Sequence, residues 1–381
     1  MIDPILSIHV KLDGSYEVKG SKRAINMIPF HGNVDCVIFR GDILPGGVDT
    51  QYYPNGAQGM LSARYMLEGT DLCGQKCRLF IDNKAPTGAE PMVTTPEIVT
   101  DSRVLGWLET AALTGGIVGE EGGIRIEIRE KACGFVREET HLDVNGRRIY
   151  AELYKPQLEQ EKFPLVIASH GYNSCSEHMR ADMALLAQRG IAVCCYDFCG
   201  GGRLSKSSGR TEEMSIPSEQ RDLMDVFEWA RKLPFVDAQR VYLYGSSQGG
   251  FVSALTAPQL SDRIRGIFLQ FPAFCIPDDW AAEKGKKEPA TYDFMGMVIG
   301  RCYPDELPDE DVFDIAARYE GPVVIFHGDK DPVVRLSYAQ QLNKAYKNAE
   351  LFVYPEQGHG FAPQFTAAMM GKVAQTILQD I

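Results

Sequence analysis

Two patterns of hydrophobic and polar positions divide the chain near residue 130. Before that point the apolar runs are short, and some alternate strictly. Ile124-Arg125-Ile126-Glu127-Ile128-Arg129 repeats every two residues, as a strand does when one face is buried. Residues 24–28, 36–39, 61–67 and 77–81 are further short strands. Turn residues separate such runs, at Leu44-Pro45-Gly46-Gly47, Gly69-Thr70-Asp71 and Pro86-Thr87-Gly88. One short helix is expected, over residues 102–113. Residues 1–130 therefore read as a small antiparallel β-barrel or sandwich.

From residue 135 onward, near-continuous apolar runs alternate with helical patterns. A hairpin over residues 140–154 turns at Asn145-Gly146, the strongest short hairpin signal. Apolar strands follow at 165–169, 191–196, 241–244, 264–271, 322–326 and 351–354. Residues 219–232 and 337–346 have helical spacing. Apolar strands separated by helices predict an α/β fold, a doubly wound and mostly parallel sheet covered on both faces. It should occupy residues 135–381. Residues 273–319 are too long for a strand-to-helix link and are expected to form a cap, holding Phe274, Trp280, Tyr292, Phe294, Met295, Met297 and Tyr303.

Composition narrows the classes. The formal net charge is −12, which opposes a general affinity for nucleic acid or anionic membrane. No apolar run approaches a membrane span, and Met1-Ile2-Asp3-Pro4-Ile5 lacks the basic and apolar regions of a secretory signal. A cytoplasmic location is expected, with the 10 cysteines reduced. Cys73 and Cys77 have no second pair, so no zinc site is expected. No phosphate loop, dinucleotide fingerprint or His-Glu-x-x-His occurs, and the expected chemistry calls for no metal or organic cofactor.

That chemistry centres on Val241-Tyr242-Leu243-Tyr244-Gly245-Ser246-Ser247-Gln248-Gly249-Gly250. A strand runs into Gly-x-Ser-x-Gly and a helix follows, the context of a nucleophile elbow at Ser247. A serine hydroxyl needs a base in contact, and the base needs an orienting carboxylate. Candidates follow in the order Asp, then His. Asp329 and Asp331 lie just past an apolar strand, where open α/β sheets bind ligands. His359 sits between glycines after the last strand. A backbone N–H pair should hold the oxyanion, one donor being Gln248.

These residues, over 135–381, resemble the serine-hydrolase branch of the α/β-hydrolase superfamily. The resemblance implies Asp331, the residue before Pro332-Val333, as the acid, and Asp329 as a turn cap. It also implies the Tyr172 N–H, after His170-Gly171, as the second oxyanion donor. Gly245-Ser246-Ser247-Gln248-Gly249-Gly250, the cap insertion and His327-Gly328-Asp329-Lys330-Asp331 are similar to bacterial feruloyl and cinnamoyl esterases. The resemblance implies a serine carboxylic ester hydrolase acting on a small-molecule aryl or hydroxycinnamoyl ester, with Trp280, Tyr292 and Asp278 toward substrate. An exopeptidase resembling the prolyl oligopeptidase family is the alternative, although residues 1–130 are too short for a propeller. A non-catalytic ligand-binding protein on the same fold is a third. The first 130 residues resemble a lipocalin-like β-barrel family of unknown function, through Gly41-Asp42-Ile43-Leu44-Pro45-Gly46-Gly47-Val48-Asp49 and Val104-Leu105-Gly106-Trp107-Leu108. They read as a docking or dimerisation module of a homo-oligomer, or as a barrel whose mouth holds a small ligand.

Overall fold

The protein is described by a computed structural model covering residues 4–88 and 90–379. It divides into two compact units, Met1–Ala132 with Ala367–Ile381, and Cys133–Thr366.

In the first unit, alternation of buried and outward residues builds a closed β-barrel. Leu6, Ile8 and Val10 point inward from one strand, as do Leu79 and Ile81, and Ile126 and Ile128, from others. Around the barrel run Leu6–Leu12, Gly123–Glu130, Leu113–Glu120, Val93–Thr100, Lys76–Pro86 and Met60–Asp71. Next come Phe39–Ile43 and Val48–Pro54, which share one position, and then Arg23–Asp35. Arg23–Asp35 pairs with Leu6–Leu12 and so closes the ring, leaving no free edge there. Gly41 and Gly69 stand opposite each other, and a Cβ on Gly69 would meet the Arg40 carbonyl oxygen at 2.0 Å.

The helix expected over residues 102–113 does not form. Only a 3₁₀ turn, Gly106–Glu109, is present, and Leu113 already begins a strand. Val104, Leu105, Trp107 and Leu108 are all buried, so this short apolar cluster serves as core rather than as one stripe of a longer helix. Within the same unit, Gly371 lies against Trp107: a Cβ there would meet the ring at 2.5 Å.

The second unit is an eight-stranded sheet. In spatial order its strands are Phe135–Val144, Arg147–Pro156, Ala192–Tyr196, Phe163–Ser169, Val236–Ser246, Gly266–Gln270, Val323–Gly328 and Ala349–Tyr354. The first two form the hairpin, turning through Asn145 at φ 48° and Gly146 at φ 77°. From Ala192–Tyr196 on, neighbours are parallel. Phe163–Ser169, Ala192–Tyr196, Gly266–Gln270 and Val323–Gly328 are buried at every position, because helices cover both faces. Register sets Ser169 beside Gly245, Ser246 beside Gln270, and Gln270 beside Phe326. The loops leaving those strand ends therefore emerge along one edge.

One buried charge anchors the antiparallel side of this sheet. The Glu152 side chain is fully buried. It accepts from Arg180 Nε at 3.0 Å and from the hydroxyls of Tyr150 and Tyr154, both at 3.1 Å, with Arg137 at 3.2 Å. Burial pushes its pKa up, but the Arg180 hydrogen bond and the two hydroxyls outweigh that and bring it down to about 2. A depressed carboxylate contributes stability above its unfolded pKa and loses it as pH falls through the folded value. Glu152→Gln should destabilise the protein by about 1–3 kcal/mol at neutral pH, since it takes the charge from the buried acceptor on which the half-buried Arg137 and Arg180 and the buried Tyr150 and Tyr154 hydroxyls converge. Denaturant unfolding at pH 7 and pH 3 checks this: the gap to wild type should shrink at pH 3, and an equal gap at both would refute it.

Candidate active site

The strand Val236–Ser246 passes into the helix Gln248–Thr256 through Ser247 alone. Ser247 has φ 54° and ψ −119°, a backbone conformation that costs about 1–3 kcal/mol for a residue with a Cβ. Hydrogen bonds hold it there. Its N–H donates to Gln270 O at 2.9 Å, and its carbonyl accepts from Ala273 N at 3.0 Å and Phe251 N at 3.1 Å. Neither flanking glycine carries the positive φ. They supply room: a Cβ on Gly245 would lie 2.3 Å from Gly249 O, and one on Gly249 would lie 2.3 Å from Ser169 O. The two glycines let the helix start press directly on the neighbouring strand end.

The structure brings Ser247, His359 and Asp331 into one hydrogen-bonded series. Ser247 Oγ lies 2.9 Å from His359 Nε2, and His359 Nδ1 lies 2.7 Å from Asp331 Oδ2. The other Asp331 oxygen accepts from Val333 N at 2.8 Å and Val334 N at 2.9 Å. The side chain of Asp331 is fully buried, and that of His359 is 19% exposed. Burial raises the Asp331 pKa, but the His359 hydrogen bond and the two backbone N–H groups more than offset this and lower it. A carboxylate accepts only, so His359 Nδ1 carries a proton, and in the neutral ring Nε2 then presents its lone pair to the serine hydroxyl. The Phe271 ring, on a residue at φ 36°, packs tilted by 44° against the imidazole with ring centroids 4.3 Å apart. Asp329 Oδ1 accepts from Glu356 N at 2.7 Å and so fastens the turn after the last strand. His327 is buried with Nε2 2.9 Å from Val334 O.

The loop after Phe163–Ser169 lies against the serine. A Cβ on Gly171 would sit 3.1 Å from Ser247 Cβ. His170 is wholly buried: Phe198 N donates to its Nε2 at 3.1 Å, so its Nδ1 is the donor to Gly171 O at 2.8 Å. Burial lowers its pKa and keeps this neutral tautomer. The ring therefore shapes the turn. Tyr172 follows, its hydroxyl donating to Phe294 O at 2.9 Å in the cap hairpin Thr291–Phe294 and Met297–Gly300. Gln248 begins the helix, whose N-terminal end favours negative charge.

A second network, which sequence reasoning missed, lies behind Gln248. Its Nε2 donates to Glu219 Oε2 at 2.8 Å, and its Oε1 accepts from the Tyr303 hydroxyl at 2.6 Å. Glu219 is buried, and burial pushes its pKa up to about 8 although the Gln248 bond opposes that. A signal was present: Ile216, Glu219, Leu223, Val226 and Ala230 fall on one face of the helix Ile216–Ala230, so a carboxyl occupies a core position. Of the expected substrate residues, Trp280 and Tyr292 pack within the cap, and Asp278 is tied to the helix Leu336–Ala345. Trp280 packs edge-on to Tyr292, Phe294 and Tyr303 at 5.1 to 5.4 Å. Tyr292 OH accepts from Arg301 at 2.8 Å, and Asp278 accepts from Tyr338 OH at 2.6 Å.

Residues 177–375 match the prolyl oligopeptidase family. Among curated proteins, the chain is 23% identical to an uncharacterized peptidase of Bacillus subtilis, YtmA, over 61% of this chain and 89% of that protein. It is 24% identical to dipeptidyl aminopeptidase BIII of Pseudoxanthomonas mexicana, over 50% of this chain and 30% of that protein. Among solved structures it resembles Est1E from Butyrivibrio proteoclasticus, with ferulic acid bound. The TM-score is 0.57 at 28% identity, over 63% of this chain and 98% of that one.

The raised Glu219 pKa has a stability consequence. Between the unfolded value near 4.5 and the folded value near 8, the folded state holds a proton that the unfolded state has released. Stability must fall as pH rises through this window, by on the order of 1 kcal/mol per pH unit at the steepest. Glu219→Gln, which stays neutral, should therefore gain on wild type between pH 5 and pH 8 in thermal unfolding. A gap that is constant or moves the other way would contradict the assignment.

Proposed function

The chain belongs to the prolyl oligopeptidase family and is a serine hydrolase of the α/β-hydrolase superfamily; from that premise we propose that it hydrolyses carboxylic esters through an acyl-enzyme. The observation that carries this is the series Ser247–His359–Asp331 at 2.9 and 2.7 Å. Ser247 Oγ attacks the ester carbonyl carbon while His359 Nε2 takes its proton. Asp331 holds the ring and stabilises the imidazolium. The backbone N–H groups of Tyr172 and Gln248 receive the oxyanion, each worth about 3–4 kcal/mol in the transition state. As the C–O bond breaks, His359 returns the proton to the leaving alcohol. Water then attacks the acyl-serine by the same path, releasing the acid and restoring Ser247.

For the acyl group we propose a hydroxycinnamoyl or similar aryl chain. Two observations support it: the aromatic cap of Trp280, Tyr292, Phe294 and Tyr303, and the likeness to Est1E along nearly its whole length. A serine exopeptidase is the second reading, favoured by the family and by relatives named as peptidases. The same residues would serve, with an amine as leaving group.

Ser247→Ala should cut hydrolysis of an activated aryl ester by about four orders of magnitude or more, and Asp331→Asn by about 10⁴, with unchanged thermal unfolding. Turnover by Ser247→Ala at the wild-type rate would remove Ser247 from the mechanism. A panel of cinnamoyl and feruloyl esters beside aminoacyl and dipeptidyl anilides separates the two readings. Higher kcat/KM on the esters is expected, and higher kcat/KM on the anilides would establish the peptidase.

A further inference from the structure

The barrel of the first unit contains a cavity of about 200 Å³, lined only by barrel residues. Val10, Phe30, Leu61, Ile124 and Ile126 make an apolar wall, and the half-exposed Leu12 and Ile117 are also part of the lining. Among the described residues, Asp49, Gln51, Asn83 and Thr94 are its polar lining, and no lysine, arginine or histidine lines it. An apolar cavity of about 150 Å³ accommodates benzene, so this one has room for a single ring with a short tail.

Three polar atoms here lack a hydrogen-bond partner: Asp49 Oδ1, Asn83 Oδ1 and Thr94 Oγ1. Asn83 and Thr94 are each only 4% exposed. The other Asp49 oxygen is taken by Gln51 Nε2 at 2.8 Å. Strand register sets Asp49 and Asn83 on either side of Ala63, whose methyl leaves the space between them open. Thr94 stands opposite Gly115, where a Cβ would come within 2.1 Å of Thr94 Oγ1 and 3.5 Å of the Asn83 amide. The Asn83 and Thr94 strands adjoin, the strand of Ala63 separates them from Asp49, and all three orphans line the one cavity. Two of them, a carboxylate and an amide oxygen, can only accept. Each buried acceptor left unpaired costs about 1–3 kcal/mol, which a donor from a ligand would recover. Asp49, with no cation beside it in the lining, opposes a carboxylate or phosphate.

We propose that this barrel binds a small primary amine bearing one apolar ring. The ammonium group donates to Asp49, Asn83 and Thr94, and the ring lies among Val10, Phe30, Ile124 and Ile126. The site is independent of Ser247, and its test does not read hydrolysis. Titration calorimetry on the full chain would compare 2-phenylethylamine with 3-phenylpropionate, an anion of similar shape, and with ethylbenzene. The amine should bind one per chain with Kd below about 1 mM, and the other two at least about tenfold more weakly. Asp49→Asn should weaken the amine by about tenfold or more, and Ala63→Leu, which fills the cavity, should abolish binding. Thermal unfolding verifies that each variant is folded, and Asp49→Asn alone decides the matter if Ala63→Leu is not. Equal affinity for amine and carboxylate, amine binding unchanged by Asp49→Asn, or no saturable amine binding up to about 10 mM would each overturn the proposal.

Discussion

The second unit is organised around one backbone constraint, the turn at Ser247. A residue with a Cβ is held at positive φ between a strand and a helix, and its neighbours must pack closely enough to keep it there. Gly245 and Gly249 make that packing possible by removing atoms. With the helix start seated against Ser169 and His170, Gly171 comes alongside the serine and the Gln248 N–H opens the helix next to Ser247 Oγ. A single side chain at either glycine would push apart the strand end, the helix and the loop that converge on the serine.

Three of the buried carboxyl groups in this unit fall into two classes, and the donors around them explain why. Glu152 receives two arginines and two tyrosine hydroxyls, and stays ionised despite its burial. Asp331 receives an imidazole and two backbone N–H groups, and its pKa falls below the usual value. Glu219 receives one amide N–H from Gln248, too little to offset desolvation, and its pKa rises. Donor number, rather than depth alone, sorts a fixed anion from a neutral acid. The neutral Glu219 and the Tyr303 hydroxyl grip both ends of the Gln248 amide, so the cap and the helix Ile216–Ala230 both bear on the residue after Ser247.

The barrel follows different rules. Its alternating strands close on themselves and bury an apolar interior, yet one part of that interior keeps polar atoms without partners. In a small barrel, side chains ordinarily fill the lumen. Here Ala63 is small between Asp49 and Asn83, and Gly115 is small beside Asn83 and Thr94, which leaves space and unpaired acceptors in the lining of one cavity.

Much of this was legible along the chain, because local rules carried it. Period-two alternation marked the strand Gly123–Glu130 and continuous apolar runs the parallel sheet, but residues 36–38, read as strand, are the link between Arg23–Asp35 and Phe39–Ile43, and Gly69-Thr70-Asp71, read as a turn, ends the strand Met60–Asp71. Asn145-Gly146 marked the hairpin, and Gly-x-Ser-x-Gly between strand and helix marked Ser247. The short helix over residues 102–113 failed because its apolar residues answer to packing, which local spacing does not encode. Glycine and serine in the elbow were visible, but not that the positive φ would fall on the serine and the space requirement on the glycines. Helical spacing put Glu219 at a core position, but its donors, the tautomer of His170 and the orphaned acceptors of the barrel were closed to sequence reading. Each depends on which donors residues far apart in the chain bring within 3 Å or so, and on how much water the packing removes. The sequence by itself pointed to most elements of the parallel sheet and to Ser247, Asp331 and His359 as candidate groups. Tertiary structure decided their protonation and their partners, because both are set by distances that only the folded chain defines.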